Sequence, residues 1–133
     1  MIKMRTPGLR GRRTLSGVLI LLSVLITGCD LPLDDIEDID FSEVAGGVYT
    51  GSHSALQGNT ELVYAEVSVL VEQPEVTDIV LIDHRCGRGV QAEAVIDYVL
   101  AAQSLMVDTV TGATVSSNAI LNAIEDALRQ GLQ

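Results

Sequence analysis

The 133-residue chain has no tryptophan and a single phenylalanine, so any core it builds is aliphatic, drawn from Val, Ile, Leu and Ala. It has two histidines and two cysteines. His53 and His84 are far apart in sequence and no cysteine cluster accompanies either, which argues against a metal site. Cations are scarce as well, with 8 Lys and Arg against 18 Asp and Glu. Five of the eight (Lys3, Arg5, Arg10, Arg12 and Arg13) precede Cys29, whereas all 18 acidic residues follow it. A chain beginning at Cys29 carries three basic residues against 18 acidic ones, formally −15. Such a surface repels nucleic acid and anionic head groups. The apolar run Leu15–Ile26 is also short: broken by Ser16, Gly17 and Ser23, it would make roughly 18 Å of helix against a hydrocarbon core of ~30 Å.

A basic opening followed by a short apolar run suits a signal peptide rather than a membrane span. The run ends in Leu25-Ile26-Thr27-Gly28-Cys29, which resembles a bacterial lipobox. That resemblance implies a signal peptide over residues 1–28, cleavage after Gly28 and diacylglyceryl transfer to the Cys29 thiol. The domain would then be extracytoplasmic and lipid-anchored to the cell membrane. Asp30 resembles an inner-membrane retention signal and points to the periplasmic face of that membrane. Cys86 would be the only thiol left after lipidation, so it has no intramolecular disulfide partner. It reads as a small buried hydrophobe, with a place near a ligand or an intermolecular bridge as alternatives.

Residues 29–43 read as the lipidated cysteine and an acidic tether, in which Leu33, Ile36, Ile39 and Phe41 are interspersed among Asp and Glu. A short helix docking Ile36 and Ile39 is the alternative. The globular part is expected over 44–133, a length that buries one modest core. Gly46-Gly47-Val48-Tyr49-Thr50-Gly51 forms its first element. Leu62–Val71 alternates, with Val63, Ala65, Val67, Val69 and Val71 on one face, as in a half-buried antiparallel strand. A turn at Glu72-Gln73-Pro74-Glu75 leads into a second strand, Val76–His84, through Ile79, Val80, Leu81 and Ile82, making a hairpin. Val95, Tyr98, Val99 and Ala102 recur at helical spacing within Val90–Ser104. Ile120, Leu121, Ile124 and Leu128 do so within Ser116–Gln130, where Ala123 and Ala127 allow close approach. Ser116 or Ser117 is the expected N-cap and Gly131 the helix stop. The expected fold is α+β, a small antiparallel sheet packed against two helices in a single domain.

The candidate site is Asp108-Thr109-Val110-Thr111-Gly112-Ala113-Thr114-Val115-Ser116-Ser117, which places hydroxyls and a glycine at a helix entrance. Unpaired N–H groups and the helix dipole favour a phosphate there. The order Asp-x-x-Thr-Gly-Ala-Thr-x-Ser-Ser resembles the flavinylation motif of the FMN-binding domain family. That family has members in the sodium-pumping NADH:quinone reductase and in the Rnf electron-transport complex. The Gly47-x-Tyr49-x-Gly51 pattern, the hairpin ending in a histidine, the glycine-containing loop and the two helices follow in the family's order. The resemblance implies covalent FMN joined to Thr114 by a phosphoester. A separate FAD-dependent, magnesium-requiring flavin transferase would place it there, with Asp108 in its recognition sequence. Thr111, Gly112, Ala113, Ser116 and Ser117 would surround the phosphate or the helix cap.

The loop Asp83-His84-Arg85-Cys86-Gly87-Arg88-Gly89 is the second candidate. Arg85 and Arg88 are two of the three cations that follow Cys29, and an arginine pair can neutralise a phosphate or an anionic flavin. His84 could donate to the isoalloxazine edge. Family members have a different short polar loop after the histidine, which leaves the individual contacts open. The family resemblance, together with the lipobox-like segment, implies a membrane-anchored electron carrier exchanging electrons with redox partner proteins at the membrane. A flavin-dependent reductase of a small acceptor and a non-redox lipoprotein binding module are the alternatives.

Overall fold

The computed structural model describes residues 35–57, 61–85 and 90–133. The signal peptide, Cys29 and Asp30 lie outside the described residues, as do Cys86 and Arg88. Three strands, β1 (Gly47–Gln57), β2 (Glu61–Glu72) and β3 (Glu75–Arg85), form an antiparallel sheet in the order β1-β2-β3. Two helices, α1 (Val95–Ala102) and α2 (Thr114–Arg129), complete the α+β domain.

β2 follows its sequence alternation closely. Val63, Ala65, Val67 and Val69 are fully buried and Val71 nearly so. β1 runs six residues past its expected end at Gly51, because β2 pairs with it continuously from Gly47↔Val71 to Gln57↔Glu61. In β3 the apolar run misled: Val80 and Ile82 are about half exposed while Val76 and Ile79 are buried. Two bulges account for this. Between Val71↔Val76 and Leu70↔Asp78 the extra residue is Thr77, and between Val67↔Leu81 and Glu66↔Asp83 it is Ile82. Each extra residue shifts the alternation by one, so the row facing β2's buried side chains is Val76, Ile79, Leu81 and His84.

α2 supplies the other half of the core through Ile120, Leu121, Ile124 and Leu128, each worth about 1.5–3 kcal/mol when fully buried. It sits directly on the backbone of β1. A Cβ on Gly51 would collide with the carbonyl of Ala123 and the amide of Ala127, so the second glycine of Gly47-x-Tyr49-x-Gly51 is required by helix contact. Ala123 and Ala127, both fully buried, give the matching close approach from the helix. Gly131 is likewise steric rather than a left-handed stop. Gly112 is the only glycine among the described residues with positive φ, and a Cβ on Gly131 would lie 2.6 Å from Tyr49 and Val44. The helix ends at Arg129 with Gln130 as C-cap in right-handed conformation.

The expected helix over Val90–Ser104 is shorter and divided. Val90–Ala94 is a 3-10 turn, α1 follows, and Gln103 ends it at φ 50°. Gln103 is held there by its own amide, which donates to the carbonyls of Val76 and Leu100 and accepts from the Val76 N–H, all at 2.9 Å. Tyr98 and Ala102, expected in the core, are exposed, while Val95 and Val99 are fully buried.

The acidic segment is also not wholly a solvated tether. Ile39 and Phe41 are buried in the core, the latter in a 3-10 turn over Phe41–Glu43, and Ile36 packs against them. Packing onto the core is already seen at Ile36, eight residues before Val44. The only phenylalanine of the chain therefore belongs to a docked strap. Arg129 fixes the strap by donating at 2.6 Å to both Glu37 and Glu125.

Candidate functional site

The motif is a loop drawn tight against the first turn of α2. The Ala113 N–H donates to the Val110 carbonyl at 2.9 Å, closing a turn with Thr111 and Gly112 at its centre. Gly112 has φ +81°, the value that the third position of a type II turn demands. Space is not the constraint there: the nearest atom to a Cβ on Gly112 would be Gln91 Nε2 at 3.9 Å. The glycine is needed for its conformation.

α2 starts two residues earlier than expected, at Thr114, with Ala113 rather than a serine as N-cap and no side-chain cap. Ser116 and Ser117 are buried inside the first turn. The Ser117 hydroxyl accepts the Val110 N–H at 3.1 Å, and the Ser117 N–H donates to the Ala113 carbonyl at 2.8 Å. Ser117 thus braces the loop from beneath. Ala113 is 5% exposed, and its small side chain lets the turn sit on the core. Thr111, Gly112 and Thr114 remain exposed, leaving a hydroxyl at the first residue of a 16-residue helix whose opening N–H groups lack a side-chain acceptor.

Beside this loop is a surface groove of about 870 Å³, lined by Tyr98, Ala101 and Ala102 of α1 and by Met106–Thr111. The side chains that depart from the expected core, Tyr98 and Ala102, are those that form its wall. A smaller groove of about 380 Å³ runs on the other side of the same segment, between Asp35 and Ile36 of the strap and Leu105–Thr109. Asp108 is exposed and lines both.

His84 and Arg85 part company at the end of β3. His84 is on the core-facing row, opposite Ala65, with Nδ1 3.3 Å from Glu93 Oε1. Arg85 pairs with Tyr64 on the opposite face, lying 5.8 Å from the centre of its ring and 3.1 Å from Asp83. The structure therefore does not bring Arg85 to the motif. Sequence reasoning missed Gln91 and Glu93. They sit on a 3-10 turn next to the motif, and polar residues in an apparent helix gave no signal of that. Among the described residues no group of three or more His, Cys, Asp or Glu could hold a metal ion. No helix there is long and apolar enough to cross a membrane.

A three-stranded sheet with helices on one face, an exposed hydroxyl at an uncapped helix start and a groove alongside define a small ligand-binding module. A model of the FMN-binding domain matches residues 3–129, and the chain belongs to that family. No curated protein and no solved structure matches it. The residues present fit a flavin nucleotide. The unclaimed N–H groups of α2 suit its phosphate, and the larger groove falls within the roughly 300–1,000 Å³ typical of small-molecule sites.

Proposed function

We propose that this FMN-binding protein is a membrane-anchored, extracytoplasmic electron carrier whose FMN is joined covalently to Thr114. The observation that carries the reading is the placement of Thr114, exposed at the uncapped start of α2. A side chain there is free of packing, so it can be esterified without disturbing the core. The resulting phosphodiester anion would meet the N–H groups of the first turn and the positive end of the helix dipole.

Thr114 has no neighbouring base of its own in this reading, so the bond is made by a separate transferase. Thr114 Oγ takes the FMN phosphate as the pyrophosphate of FAD breaks, AMP leaves and the hydroxyl proton is lost to the transferase. The segment Asp108–Thr111, exposed at Asp108 and Thr111, is the surface such an enzyme would read. Gly112 holds the turn open for it, and Ser117 keeps the loop from collapsing. The flavin ring supplies one- or two-electron redox chemistry when bound. The protein's part is to position it and to keep one face accessible to partners. A covalent bond keeps the cofactor at high effective concentration even where the groove is open.

The anchor rests on the lipobox-like Leu25–Cys29 and on the charge distribution. The acidic domain has the wrong sign to adhere to anionic lipid, which leaves acyl chains at Cys29 as the attachment.

The test is expression with a flavin transferase, followed by intact-mass and peptide mass spectrometry. Flavin should map to the peptide holding Thr114, and its in-gel fluorescence should survive denaturation. A Thr114→Ala protein that keeps its full flavin load would refute the attachment site. A colourless wild-type protein would favour the non-redox module. Metabolic labelling with a fatty acid, lost in Cys29→Ser, tests the anchor separately.

A further inference from the structure

Among the described residues the only buried side-chain N or O atom without a hydrogen-bond partner is Nε2 of His84. Its side chain is 4% exposed, so bulk water does not reach it. Leaving such a nitrogen unpaired costs about 1–3 kcal/mol. Native folds keep these exceptions chiefly where a ligand, ion or water completes them. The second bulge of β3 turns His84 inward; with Ile82 in regular register, the inward place would pass to Asp83.

Glu93 selects which ring nitrogen carries the hydrogen. Its Oε1 lies 3.3 Å from His84 Nδ1, and a carboxylate only accepts, so Nδ1 carries the hydrogen. In the neutral ring Nε2 then presents a lone pair, and its partner has to be a donor. Glu93 stands in the 3-10 turn Val90–Ala94. That same turn carries Gln91, whose amide is the nearest group to Gly112 of the motif. One five-residue turn therefore contacts both the His84 ring, through Glu93 at Nδ1, and the attachment loop, through Gln91.

We infer that His84 Nε2 accepts a hydrogen bond from a ring N–H of the flavin bound at the motif, with Glu93 holding the tautomer that makes this possible. The inference rests on the flavin reading above and adds a specific contact to it. Arg85 has no part in it, since it lies on the other face of the sheet.

The experiment compares the ¹⁵N resonances of the His84 imidazole in flavin-loaded wild type and in colourless Thr114→Val. Nδ1 should be protonated in both, and Nε2 should move into the hydrogen-bonded range only with flavin present. His84→Leu, loaded by the transferase, should show a displaced visible absorption band. His84→Gln, whose amide oxygen can take the place of the Nε2 lone pair, should restore it. Identical His84 resonances in loaded and flavin-free protein would overturn the contact while leaving flavin on Thr114 intact. So would a loaded His84→Leu with the wild-type spectrum. A wild-type chain that never takes up flavin brings down both readings. Should His84→Leu fail to fold, the resonance comparison decides alone, because it needs no variant at that position.

Discussion

The C-terminal half of α2 is tied down on several sides, while its first residue is capped by no side chain. Near the end of the helix, Asp126 accepts the Ser52 N–H at 3.1 Å and Gln130 donates to the Thr50 carbonyl at 2.7 Å. These side chains also occupy part of the free edge of β1, where another chain could otherwise pair. Glu125, buried and bonded to Arg129 at 2.6 Å and to the Glu37 N–H at 3.2 Å, holds the strap. Glu125 and, less so, Glu37 raise the affinity of Arg129 for its proton. At the other end Thr114 is exposed, and the bonds nearby brace the loop from below rather than cover the helix start. One helix is thus a structural strut at one end and, in the proposed function, a binding platform at the other.

If that division is right, substitutions at the two ends should separate function from stability. The largest effect is expected from Thr114→Val, which removes the hydroxyl and should abolish covalent flavin entirely. Its unfolding free energy should stay within about 0.5 kcal/mol of wild type in urea titration, as for other exposed positions. A large stability loss there would erase the contrast. Gly51→Ala does the reverse at the strut end. Its methyl meets the backbone of Ala123 and Ala127, so urea denaturation should show a loss of about 3 kcal/mol, the upper part of the overpacking range.

Arg129→Met should cost about 1–2 kcal/mol, because it strands the Glu125 carboxylate with one remaining bond, from the Glu37 N–H. The strap should loosen with it, which hydrogen exchange at Glu37–Phe41 would report. Gly112→Ala forces an L-residue to φ +81° and should cost about 1 kcal/mol by thermal or urea unfolding. It should slow flavin loading as well, since the turn presenting Thr114 is disturbed.

The smallest effect concerns pH. Ser42 donates from its hydroxyl at 2.6 Å and its N–H at 2.9 Å to Asp40, holding that carboxyl below its ordinary range. A lowered folded value means the contribution is complete above the ordinary carboxylate range, about 4. It then fades as pH falls through the folded value. Wild-type and Asp40→Asn urea curves should therefore differ at pH 6 and converge on acidification.

Much of this was legible in the residues. β2 declared its buried face through unbroken alternation, because period-two patterning survives wherever a strand is paired on both sides. The Thr111-Gly112-Ala113-Thr114 motif and the small residues Ala123 and Ala127 were equally visible, and Gly51 supplied the surface they pack against. β3 was less legible, since the two bulges that turn Val80 and Ile82 outward and Ile79 inward leave no mark on the apolar run Ile79–Ile82. The strap looked like solvated chain because its acidic residues outnumber Ile36, Ile39 and Phe41. The distant Arg129 that pairs with Glu37 could not be assigned from order alone.

Local chemistry alone specified an aliphatic α+β domain, the phosphate-suited start of its last helix and the family to which that start is similar. Short-range pattern suffices for these because turn conformation, helix periodicity and strand alternation depend on near neighbours. Which serine braces the loop, which face His84 takes and where the acidic segment docks were decided by packing. The strap depends on partners tens of residues away, and His84 on a register that the chain acquires only by pairing. Ser117 finds Val110, seven residues back, only once the loop has folded onto the helix.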